Sequence, residues 1–123
     1  MKVKILLAAA VAGAFLIYLS ACVKRNAVEL GGGGCDTTNV SYSMQVVPIL
    51  QNNCYACHQG PGASSGIDFS NFGAFKGWAG TGYVAWDITA APGHISMPYG
   101  LPQLPACEIN TILAWIDQGM LNN

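Results

Sequence analysis

Charge is what this chain has least of. Asp, Glu, Lys and Arg make up 9% of its 123 residues, against about 25% in ordinary soluble domains. Five basic and six acidic residues leave a formal net charge of −1. So few cations, with Lys2 and Lys4 at the extreme N-terminus, cannot build the basic face that nucleic-acid binding requires. The same scarcity, beside a hydrophobic content of 52%, excludes a charge-rich disordered tail. Histidine is scarce too, at two residues, and no grouping of acid, base and nucleophile points to an enzyme. No internal repeat is visible. Five cysteines remain to be explained, and they carry most of the information.

The apolar excess is partly a leader. Met1-Lys2-Val3-Lys4 is a short positive segment, and Ile5 to Leu19 runs on without a charge. These are the n-region and h-region of a secretory signal, expected over residues 1–21. Leu19-Ser20-Ala21-Cys22 follows and resembles the bacterial lipobox, which implies cleavage before Cys22 and lipid attachment to it. The alternative is an uncleaved anchor, for which the 17 residues from Ile5 to Ala21 sit at the lower limit of a membrane span. Either reading tethers the chain to a membrane on the periplasmic or extracytoplasmic face of the cell envelope. Residues 22–34 then read as the lipidated Cys and a flexible tether ending in Gly31 to Gly34. Twelve such residues span roughly 20 Å. Without the leader, Lys24, Arg25 and Lys76 stand against six acids, an acidic balance that favours a basic or neutral partner surface. The ordered domain is expected over residues 35–123, small for a self-sufficient core.

Cys54-Tyr55-Ala56-Cys57-His58 is the central motif. Cys-x-x-Cys-His is the attachment sequence of c-type haem. On a helical turn Cys54 and Cys57, at i and i+3, project to one side, where their sulfurs reach the two vinyl groups of one porphyrin. His58 follows directly and supplies an imidazole to the iron as proximal ligand. Three other readings compete. A thioredoxin-like pair needs a preceding strand. A zinc site needs a fourth ligand beyond Cys54, Cys57 and His58. A Cys54–Cys57 disulfide leaves His58 without a purpose.

Helical spacing surrounds the motif. Val46, Ile49, Leu50, Asn53, Cys54 and Cys57 share one period, with Pro48 tolerated in a first turn. Near the C-terminus, Ile109, Ile112, Leu113, Ile116 and Met120 form one apolar face, with Asn110, Thr111, Asp117 and Gln118 opposite and Trp115 on its flank. Pro105 suits the first turn of that helix, and Glu108 suits its positive end. Between these helices, Phe69, Phe72, Phe75, Trp78, Tyr83 and Trp86 read as a helical or turn-rich cover over a porphyrin, or as plain core. Trp or Tyr donors there could reach a propionate. Asp68 and Asp87 read as solvated surface charges. His94, Met97 and Met120 are the candidates for a second axial ligand. Met120 belongs to the apolar face of the last helix, and Met97 and His94 share a Gly- and Pro-rich loop.

Pro48-Ile49-Leu50, the Cys54 to His58 motif, Met97-Pro98 separated from His58 by 38 residues, and Trp115-Ile116-Asp117-Gln118-Gly119 together resemble a class I bacterial cytochrome c domain of the short, membrane-linked kind. The resemblance covers residues 35–123. It implies an all-α fold with crossed N- and C-terminal helices around one covalent haem c. It also implies Met97, with His94 as the alternative, as the distal iron ligand opposite His58. Crossed terminal helices would bring Cys35 and Cys107 together. An exported protein permits that disulfide, the alternative being two free thiols. The implied activity is single-electron transfer between redox protein partners outside the cytoplasm, not catalysis. A haem sensor or haem enzyme with a displaceable distal ligand, or a haem-bearing subunit of a larger oxidase, are the alternatives.

Overall fold

The computed structural model describes residues 35–123. The signal over residues 1–21, the lipid site at Cys22 and the tether over 22–34 lie outside the described residues. Among the described residues every regular element is helical and there is no strand, so this part of the chain is all-α. No helix among them is long and apolar enough to cross a membrane.

A π-helical turn, Tyr42–Val46, runs directly into helix α1, Val47–Asn53. The Ser41 hydroxyl caps the turn by accepting from the Met44 amide at 3.3 Å. Pro48 falls in the first turn of α1, directly after the π-turn that closes with the Val47 amide on the Tyr42 carbonyl. Val46, Ile49 and Leu50 are buried. The helix stops at Asn53, one residue before the cysteine motif. At that point the Leu50 carbonyl accepts from both the Cys54 and Tyr55 amides, at 2.8 and 2.9 Å. The ladder loosens there, and Cys54 to His58 continue as turns closed by the Cys57 and His58 amides on the Cys54 carbonyl. The motif therefore follows the helix instead of sharing its period.

Helix α2, Phe72–Gly80, starts at Asn71, whose side-chain oxygen accepts from the Ala74 amide. It buries Phe75 and Ala79, four residues apart on one face. Helix α3, Tyr83–Ile88, buries Val84 and Ile88 in the same way. Gly82 precedes it at φ +88°, and a Cβ there would sit 3.0 Å from the Trp86 ring, so only glycine serves this turn.

Helix α4, Ala106–Asp117, corrects two details of the sequence reading. Pro105 is its extended cap residue, outside the first turn. Its buried residues are Thr111, Ile112 and Trp115, while Ile109, Leu113, Ile116 and Met120 are only partly covered. Trp115 is the cause. It is fully buried, lies stacked on Phe75 at 5.3 Å and contacts Tyr42 at 5.3 Å. Seating so large a ring turns the helix about its axis and carries Thr111 inward. The Thr111 hydroxyl donates to the Cys107 carbonyl at 2.9 Å, so its burial strands no polar atom. The Trp115 indole N–H donates to the Leu121 carbonyl at 2.9 Å.

The two ends of residues 35–123 are tied together by hydrogen bonds. The Gln118 side chain accepts from the Val40 amide and donates to the Thr37 carbonyl, at 2.9 and 2.7 Å. Asn123 accepts from the Tyr42 and Ser43 amides, which fall in the turn's first residues and lack helical partners. Cys35 and Cys107 lie at disulfide distance, their Cα atoms 5.3 Å apart across a separation of 72 residues. A bond closing a loop of that length stabilises by about 4 kcal/mol in the chain-entropy model. Replacing both residues by Ser is therefore expected to lower the urea midpoint of the purified domain by a large part of its stability. An unchanged midpoint would show that the two sulfurs are not joined.

Candidate functional site

A cavity of about 420 Å³ opens between the helices of the described residues. That volume lies within the range of about 300–1,000 Å³ common to cofactor and ligand sites. Its walls are almost wholly apolar. Leu50 comes from α1, Phe75 and Trp78 from α2, Tyr83, Val84 and Ile88 from α3, and Ile112 from α4. Cys54 and His58 enter from the turns after α1, and Met97 with Pro98 from the loop between α3 and α4. A thiol and an imidazole from one five-residue motif and a thioether from a distant loop thus share one apolar cavity.

His58 is held by its neighbours. Its Nδ1 lies 3.1 Å from the Ile67 carbonyl, and its amide bonds the Cys54 carbonyl at 2.8 Å. A carbonyl only accepts, so Nδ1 carries a proton, and in the neutral imidazole the lone pair is then on Nε2. Phe69 packs against the ring at 5.0 Å, and Phe69 meets Phe75 edge-on at 5.1 Å. The imidazole is thereby joined to the Trp115 stack through two intervening rings.

The two thiols differ. Cys54 lines the cavity and is partly buried, whereas Cys57 is exposed and does not line it. Burial, and secondarily the Glu108 carboxylate, push the Cys54 thiol up to about 11. Asn53 connects that carboxylate to α1, its amide donating to Glu108 Oε2 at 3.0 Å and to the Ile49 carbonyl at 2.9 Å. Cys54 and Cys57 are both free thiols, so they are not a disulfide pair. Among the described residues no three His, Cys, Asp or Glu side chains converge on a common point, and no strand precedes the motif.

Of Met97, His94 and Met120, the structure brings only Met97 to the cavity wall. Met97 lines the cavity, and its amide donates to the Asp87 carbonyl at 3.0 Å. His94 does not line it. Its ring packs on Trp86 at 4.7 Å, and its Nδ1 lies 3.5 Å from an Asp87 carboxylate oxygen. Met120 packs beside the core and is absent from the cavity wall. Trp78 and Tyr83 combine cavity contact with substantial exposure, which places their polar atoms' carriers at its mouth.

Asp87 departs from the sequence reading. It lines the cavity and its side chain is three-quarters buried, so it is no solvated surface charge. The signal was present, because Asp87 follows Val84 by three residues and precedes Ile88, placing it beside their inward face. Asp68 does behave as a local turn residue. Hydrogen bonds from the Ser70 hydroxyl and amide hold its carboxyl below the ordinary value.

Of the donors singled out in the sequence, the cavity gathers three. They are the Cys54 thiol, the His58 imidazole with its Nδ1 held, and the Met97 thioether, while the Cys57 thiol lies outside the lining. The unequal thiols give a test on haem-free protein. At pH 8 iodoacetamide is expected to modify Cys57 first, because only about one Cys54 in a thousand is then a thiolate. The Cys54 rate should rise about tenfold per pH unit up to its pKa, and Glu108→Gln should increase it at fixed pH. Equal modification of both residues at pH 8, read by peptide mass spectrometry, would contradict the burial of Cys54.

No family model matches the chain, and no curated protein and no solved structure matches it.

Proposed function

We propose that residues 35–123 form a monohaem c-type cytochrome domain that carries single electrons between redox proteins outside the cytoplasm. One observation carries the reading: Cys54, His58 and Met97 share an apolar cavity, with Cys54 and His58 belonging to a Cys-x-x-Cys-His motif. In this reading Cys54 and Cys57 hold the porphyrin as thioethers, while His58 and Met97 ligate its iron. Haem bound there supplies one-electron chemistry by cycling between the ferrous and ferric states. The chain's own part is to fix the ligands and limit water. The Ile67 carbonyl keeps the His58 Nδ1 proton in place, which orients the ring and raises the basicity of Nε2. Phe69, Phe75, Val84, Ile88 and Ile112 supply a low-dielectric wall. Pairing imidazole with a thioether, a softer ligand than nitrogen, raises the reduction potential. Tyr83 and Trp78, exposed at the mouth, leave one side of the cavity open to an electron partner.

The cytochrome c arrangement of these helices, with its crossed termini, belongs to the same proposal. So do lipid attachment at Cys22 and the resulting membrane tether, which rest on the leader sequence. The expected partners are redox proteins, with no nucleic acid among them.

The test is expression with haem-maturation machinery. Wild-type protein is expected to keep its pigment in denaturant and acidified organic solvent. The Cys54→Ala, Cys57→Ala double variant should lose it. Met97→Ala should change the axial-ligand spectrum of the ferric form and lower the potential, and should admit carbon monoxide to the ferrous form that wild type resists. Colourless wild-type protein would overturn the assignment. Free carbon monoxide binding by wild type would turn it toward a sensor or enzyme.

A further inference from the structure

The loop that carries Met97 contains no regular element between α3 and α4. Left to itself, such a segment would hold a side chain poorly. It is instead fastened at several points to the last residues of α3. The Ala91 amide donates to the Trp86 carbonyl at 2.8 Å, and Gly93, at φ +85°, turns the chain back. His94 then lies against α3, its ring 4.7 Å from Trp86 and 5.7 Å from Tyr83. Three residues later the Met97 amide reaches the Asp87 carbonyl at 3.0 Å. Beyond it, the Gln103 side-chain amide donates to the Ile88 carbonyl at 3.1 Å.

Asp87 holds the loop twice. Its main-chain carbonyl accepts from Met97, and its carboxylate faces His94 Nδ1 at 3.5 Å, with both side chains about three-quarters buried. We infer that His94 and Asp87 are positioning residues, a clasp that fixes the Met97 sulfur in the cavity, and that His94 is not itself a ligand. The inference rests on the proposed function and deepens it. A thioether is a weak ligand, so its occupancy of the iron depends on how narrowly the chain confines it. Without the side-chain half of the clasp, Met97 keeps only its amide bond, and an added ligand competes more easily.

The experiment uses the haem-loaded full chain and imidazole as the competing ligand of the ferric form. His94→Phe keeps a ring against Trp86 but loses the polar contact. Asp87→Asn keeps the carbonyl to Met97 but loses the charge. Each is expected to bind imidazole about tenfold more tightly than wild type, with thermal unfolding recorded beside it. Met97→Ala should bind tighter still. The double variant His94→Phe, Met97→Ala should bind no tighter than Met97→Ala alone, because His94 acts only through the methionine. A structural role by itself would move the unfolding temperature but not this non-additivity.

The failures are distinguishable. Colourless wild-type protein removes the haem and the clasp together. A Met97→Ala spectrum identical to wild type removes the ligand assignment, and the clasp falls with it. If Met97→Ala changes the spectrum and imidazole affinity while His94→Phe and Asp87→Asn leave both unchanged, the clasp alone is overturned. An equal gain from His94→Phe with Met97 present or absent overturns it as well.

Discussion

The contact on which the rest depends is the stack of Trp115 on Phe75. It locks α4 to α2, and Tyr42 against the same indole adds the N-terminal turn. Neither Trp115 nor Phe75 exposes any surface to solvent, so each contributes its full apolar area to folding. In a domain this small, few other side chains are large enough to hold three segments at once. The position of α4 about its own axis, and with it the burial of Thr111, follows from seating that one ring.

The candidate site is built outward from the same cluster. Phe75 is both a partner of Trp115 and part of the cavity wall. Phe69, in the loop before α2, continues the contact to His58, so the imidazole is tied to the core through one intervening ring on Phe75. On the opposite part of the chain the Met97 loop is fastened to α3, by hydrogen bonds and by the His94 ring packed on Trp86 and Tyr83. His58 and the Met97 loop are thus each held by a main-chain hydrogen bond and by a packed ring, drawn from different parts of the fold.

Much of this was legible in the sequence, and the illegible parts share a cause. Spacing singled out Cys54, Cys57 and His58, and the structure brings Cys54 and His58 to one cavity while leaving Cys57 exposed outside it. Glycine and proline around Met97 marked it as a loop residue, and the helical class followed from the apolar periods at either end. What escaped were features decided by main-chain atoms or by one large side chain. The Ile67 carbonyl behind His58 has no signature, because every residue carries a carbonyl. The end of α1 at Asn53 is set by two amides sharing the Leu50 carbonyl, and no proline or glycine announces it. Trp115 looked peripheral to a stripe of five aliphatic residues, yet its volume outweighed their pattern. Asp87 was misjudged by its charge, which its nearness to His94 accommodates.

The closeness of Cys35 and Cys107 has a topological consequence. Once these sulfurs are bonded, both the Cys54–His58 motif and the methionine loop lie within a single covalent ring. A protease that severs one peptide bond inside the ring opens the backbone but releases no fragment. The clipped molecule keeps its mass save for one added water, and its two pieces part only when a reductant reaches the cystine.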